Sequence, residues 1–149
     1  MGLEDDIKQT RPFKDEMEKV IVNVVYTNNW IVDNLQCILK EYGLTRSQYN
    51  ILRILAGANL PMSTADIRLR MLEKMSDITR LIDRMIKKGW VTKSTRDSDK
   101  RRVDIELTDE GRSLLTQISA LPQPIHSFAK ELSLSEAQDL NRLLDKLRT

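Results

Sequence analysis

The sequence has little of what covalent chemistry or an extracellular life requires. It holds one cysteine and one histidine in 149 residues. A single thiol closes no internal disulfide, so a disulfide-stapled secreted scaffold is excluded and a cytosolic, cytoplasmic location is expected. No Ser-His-Asp, Cys-His or metal-ligand spacing is present, and the lone His126 beside Pro122 and Pro124 reads as a surface or helix-packing residue. An enzyme is therefore not expected, and nothing calls for a cofactor or a metal. The five glycines are scattered and build no phosphate-binding loop. With only four prolines beside them, they point to a mainly helical chain. No apolar run approaches the length of a membrane span, so no membrane partner is expected. The N-terminal MGLEDDIKQTR is acidic and polar, unlike a signal peptide, and the acids after Gly2 disfavour lipidation.

What is present is ordinary globular material, 40% apolar and 31% charged, enough for one domain or two small lobes sharing a core. The net charge of +2 conceals an uneven distribution. Residues 84–102 carry eight basic groups against Asp97 and Asp99, a local net of +6, whereas residues 103–149 carry a net of −3. A charge run alone is usually a solvated face. A compact basic segment in an otherwise neutral or acidic chain points instead toward a polyanion.

Residues 13–42 read as one long helix. Met17, Ile21, Val24, Asn28, Ile31, Leu35, Ile38 and Tyr42 recur at spacings of four and three, a seam for packing on other long helices. Asn28 either fixes register within that seam or is a partly exposed asparagine. Gly43 closes the helix. Thr45 with Gln48 forms a capping-box signature for a helix over 46–57, and Ser63 with Asp66 starts a short helix over 64–71.

The helix expected over 74–88 is the most informative. At about 100° per residue, Met75, Ile78, Leu81, Ile82, Met85 and Ile86 share one face. Ser76, Asp77, Thr79, Arg80, Asp83, Arg84 and Lys87 fill the other, offering groups that hydrogen-bond base edges and phosphates. Lys88-Gly89 stops the helix. A strand-like run over 90–96, a turn over 97–102 and the alternating Val103-Asp104-Ile105-Glu106-Leu107 then predict a hairpin with one face on a core. Its tip carries Lys100, Arg101 and Arg102. Thr108 caps the next helix, which Pro122 and Pro124 interrupt; helical character resumes over 126–132, and Ser133 or Ser135 caps a last helix.

Two short helices, an amphipathic helix and a basic-tipped hairpin make a winged helix-turn-helix pattern. The helix fits a major groove, and the thin cationic hairpin can reach the flanking minor groove. Short aspartates beside the cations can orient an arginine.

The chain also resembles the MarR family of transcriptional regulators. The motif is Asp99-Lys100-Arg101, then Leu107-Thr108 and Gly111, preceded by SDITRLIDRMIKKGWV and GLTRSQYNILRIL. It covers roughly residues 35–115, and the flanking helices resemble the family in architecture. The resemblance implies a mainly α fold with a small β-hairpin wing. A winged helix-turn-helix lobe over 45–108 would be joined to helical dimerisation regions over 1–42 and 109–149. It implies a homodimer on double-stranded DNA, a repressor on a pseudo-palindromic operator, released by a small ligand. Arg101 would enter the minor groove with Asp99 steadying it. Ser76, Asp77, Thr79 and Arg80 would face bases and phosphates, and Arg84 and Lys87 the backbone. The alternative is a winged-helix protein-interaction module without DNA binding. Two features depart from the family pattern: Met71-Leu72-Glu73-Lys74 replaces a turn that often contains glycine, and Pro122 and Pro124 split a helix that is often continuous.

Small aromatic effectors bind many members between the dimer helices and the winged lobe. Tyr26, Trp30, Asn34 and Tyr49 are the candidates for such a crevice here, and core between the lobes is the reading their residue types favour. Some members sense oxidants through a cysteine. Cys37 lies near a helix C-terminus, where the dipole disfavours a thiolate, and a small buried hydrophobe is the expectation.

Overall fold

The structure is a computed structural model. It describes residues 2–96 and 99–149, and for Arg96, Asp99 and Lys100 the backbone alone. The first surprise is α1 (Leu3–Asp6), a single turn that tucks Leu3 away from solvent and joins the next helix through a Glu4–Lys19 ion pair of 2.6 Å. The long helix α2 (Glu16–Lys40) follows, capped by Asp15, whose carboxylate accepts from the Glu18 N–H. Its end is built as the sequence predicts. Gly43 takes a φ of +68°, and the Leu44 N–H returns to the Leu39 carbonyl at 3.1 Å.

The seam along α2 divides in two. From Leu35 onward its apolar residues pack on the lobe, with Leu39 fully buried. Before that, Met17, Val20, Ile21, Val25, Tyr26, Trp30 and Ile31 stand exposed. Asn28 is exposed among them.

The lobe is assembled from α3 (Arg46–Ala58), β1 (Met62–Ser63), α4 (Thr64–Arg70), α5 (Ile78–Lys87), β2 (Val91–Arg96) and β3 (Asp99–Leu107). Capping decides its local structure. Thr45 and Gln48 exchange hydrogen bonds of 3.0 and 3.2 Å, and Ser63 accepts from the Asp66 N–H. Ile51, Leu52 and Leu55 of α3 meet Ile67 of α4, Ile78, Ile82 and Met85 of α5, and Ile105 and Leu107 of β3 in one core.

The structure departs from the sequence reading at three points. The helix expected from residue 74 begins four residues later, at Ile78, because Asp77 rather than an earlier residue supplies the cap. The expected hairpin is a three-stranded antiparallel sheet in the order β1-β3-β2, since the two-residue β1 pairs with Ile105 and Asp104. That addition makes β3 central and overturns the simple alternation. Asp104, expected on an outer acidic face, is 5% exposed, in a row with Ser63 and Ser94 on the neighbouring strands.

After the sheet come α6 (Asp109–Ser119), a short 3-10 helix (Ile125–Ala129) and α7 (Leu134–Leu147). The prolines split this region as expected, but the resumed helix is 3-10 rather than α. Ser133 is the cap of α7, in a reciprocal box with Glu136. Leu134, Leu140, Leu143 and Leu147 of α7 are exposed. Among the described residues no helix is long and apolar enough to cross a membrane.

Candidate nucleic-acid interface

The site is organised by α5. Ile78, Leu81, Ile82 and Met85 are buried, while Thr79, Arg80, Asp83, Arg84 and Lys87 face solvent. The apolar and polar arcs are those the helical spacing predicts. Ser76 and Asp77 are exposed but precede the first helical turn. Asp77 has two duties: its Oδ1 accepts from the Arg80 N–H at 3.4 Å, and its Oδ2 pairs with Arg80 Nε at 3.3 Å. The Arg80 side chain is therefore tethered at the helix N-terminus, where the macrodipole also favours an anion.

The turn before α5 lacks glycine and is held from outside. The Leu72 N–H donates to Asn50 Oδ1 of α3 at 2.9 Å, and Arg46 of α3 pairs with Glu73 at 2.8 Å. Both contacts join residues more than twenty positions apart, which is why no local sequence signal exposes them. Leu69 at the end of α4 and Leu72 within this turn have 84% and 88% of their surface exposed.

Gly89, with φ +79°, turns the chain from α5 into β2. Thr108 locks the other end of the sheet to that turn. Its hydroxyl donates to the Gly89 carbonyl at 2.5 Å and accepts from the Gly111 N–H at 3.1 Å. Its own N–H donates to the Trp90 carbonyl. The Leu-Thr-x-x-Gly motif is thus a clasp between the helix exit and the sheet. Gly111 is required because a β-carbon there would collide with the Trp90 carbonyl oxygen.

The cations expected at a hairpin tip lie on β3 itself. Thr95 pairs with Val103, but Arg96 pairs with Asp99, so residues 100–102 are inserted as a bulge on one strand. Arg101 and Arg102 are exposed there. The roles expected of Asp97, of the Asp99 side chain and of the Lys100 side chain fall outside the described residues. Beyond the predicted set, Lys93 of β2 points its ammonium at Asp83 of α5, 3.8 Å away. Its only signal in the sequence is membership of the basic segment.

The aromatic candidates are not gathered. Tyr26 and Trp30 lie on the bare face of α2, and Asn34 donates to the Trp30 carbonyl at 2.7 Å. Trp30 meets Phe128 edge to face at 5.8 Å. Tyr49 instead packs against the lobe core, and that burial raises the pKa of its phenol. Cys37, expected to be buried, is exposed, because α2 turns that flank away from the lobe. It borders a cleft of about 420 Å³ shared with Ile38, Glu41, Leu121, Pro122 and Gln123, which contains none of the four aromatic-site candidates.

Comparison with known proteins gives a consistent picture. A winged helix DNA-binding domain model matches residues 44–111. The HTH-type transcriptional regulator PecS of Dickeya dadantii is 26% identical over 114 residues, spanning 74% of this chain and 69% of PecS. The multiple antibiotic resistance protein MarR of Salmonella typhimurium is 27% identical over 73% of this chain and 76% of its own length. A cysteine-to-serine mutant of Escherichia coli MarR, solved in complex with operator DNA, shares the fold. Its TM-score is 0.77 at 24% identity, over 92% of this chain and 99% of that one.

Proposed function

We propose that the chain is a winged helix-turn-helix transcriptional regulator of the MarR family and that it represses transcription as a homodimer on a pseudo-palindromic operator, a reading supported by its likeness to PecS and MarR. The observation that carries this is the pairing of one exposed polar face, on α5, with a cationic bulge on the adjoining β3. Thr79 and Arg80, with Ser76 and Asp77 just ahead of the helix, face base edges in a major groove. Arg84 and Lys87 meet the phosphates, and Arg101, with Arg102, enters the flanking minor groove. The homodimer is supported by the exposed apolar faces of α2 and α7, which an isolated chain leaves largely in water. Twofold pairing spaces the half-sites by about one helical turn, roughly 10 bp. Release by a small aromatic ligand belongs to the same reading, with Tyr26, Trp30 and Asn34 on α2 closest to the dimer seam.

The exposed Leu69 and Leu72 favour a second reading, a winged helix that docks a protein. Equilibrium binding to duplex DNA across a salt series separates the two. A DNA regulator loses affinity steeply as salt rises, and Arg101→Ala lowers it by about 1–3 kcal/mol while the melting transition stays in place. Salt-independent binding, or an unaffected Arg101→Ala variant, contradicts the proposal.

A further inference from the structure

The geometry points to a further DNA-backbone contact and the residue that positions it: Lys93 on β2, held over the phosphate strand by Asp83 of α5. This rests on the DNA-binding reading above and extends it.

One charge on α5 is out of place for such a surface. The exposed arc of α5 and its cap carry Arg80, Arg84 and Lys87, suited to a polyanion, yet two carboxylates lie among them. A carboxylate facing phosphate is repelled unless a cation answers it. Asp77 is answered by Arg80 at 3.3 Å within the cap. Asp83 is answered from another element, by Lys93 at 3.8 Å. Both side chains of that second pair are about half exposed, so the pair adds little to the stability of the fold. Its consequence is positional.

A protein that fills a major groove with one element and the adjoining minor groove with the next must straddle the phosphate strand between the grooves. Here the first element is α5 and the second is the hairpin of β2 and β3. Lys93 has its backbone in the hairpin, opposite Ile105, and its ammonium against α5. It therefore stands at the junction the strand must cross. A lysine on a free four-carbon stem samples many positions. Asp83 restricts that sampling and keeps the ammonium between helix and hairpin, with donors left over for a phosphate oxygen.

The test is a double-mutant cycle with Asp83→Ala and Lys93→Ala, read by affinity for a random-sequence duplex over a salt series. Thermal melts confirm that each variant is folded. Lys93→Ala should weaken binding and reduce the salt slope by about one. In the Lys93→Ala background, Asp83→Ala removes only a negative charge and should tighten binding. In the wild-type background that gain should be smaller by about two- to fivefold, or reversed, because Lys93 loses its guide. An equal gain in both backgrounds means Asp83 does not act through Lys93. A larger gain with Lys93 present means Asp83 competes with the phosphate for it. Either result overturns the inference and leaves the DNA-binding reading intact. A wild-type chain that binds no duplex at all overturns both.

Discussion

A single missing β-carbon fixes the join between helix and sheet. Gly111 lies against the Trp90 carbonyl, and Thr108 bridges Gly89 and Gly111 with one hydroxyl. Gly111→Ala forces the start of α6 away from the sheet and should cost about 1–3 kcal/mol of stability, read by denaturant unfolding. A variant as stable as wild type would refute the clasp. This residue was legible in the sequence as part of a motif, but its reason was not. The obstacle to a side chain there is backbone more than twenty positions earlier in the chain. Cys37 shows the opposite case. Its type predicts burial, and its place on the flank of α2 that faces away from the lobe decides otherwise.

The elements are legible where their signals are local. Capping residues Thr45, Ser63, Thr108 and Ser133 start the helices the sequence predicts, since each needs only a hydroxyl and an N–H three residues on. Thr45→Ala should therefore cost about 1 kcal/mol, again by denaturant unfolding, because the Gln48 N–H loses its partner. The α7 box adds a pH dependence. The Glu136 carboxylate accepts from the Ser133 N–H at 2.8 Å, and that bond, followed by the Ser133 hydroxyl, lowers its pKa below the ordinary carboxylate value. A depressed folded pKa gives stabilisation that is complete above the unfolded value, about 4.3. It is lost as pH falls through the folded value. The protection of the first-turn amides of α7, taken as intrinsic over observed exchange rate at each pH, should hold from neutral pH down to that range and fall below it. Glu136→Gln should remove the acid-dependent step. What the sequence hid at this scale came from pairing across distance. The two-residue β1 carries no strand signal of its own, yet it makes β3 central and buries Asp104. The start of α5 slipped from residue 74 to Ile78 because Asp77 outcompeted earlier positions for the cap.

For the whole molecule, the decisive fact is the amount of apolar surface left in water. The N-terminal part of α2 and the outer face of α7 expose long rows of leucine, valine and isoleucine, while the lobe between them has a closed core. Periodicity revealed those rows. It could not say which turns of α2 the lobe would claim, because that depends on where α3 and α6 lie. The proposed dimer, in which α2 and α7 cover one another, would remove those rows from water. Combining Val25→Glu with Leu143→Glu should give a folded monomer by sedimentation. With one lobe per particle, avidity is lost and affinity for an inverted repeat should fall about 100-fold or more. A variant pair that remains dimeric would place the interface elsewhere.

The measurement that tests the central claim most directly is selection of bound sequences from a random duplex pool, with the full chain at near-physiological salt. A regulator that sets two copies of α5 in successive major grooves should enrich an inverted repeat with half-sites about one helical turn apart. Enrichment of a single unrepeated site, or of no sequence at all, would contradict the account.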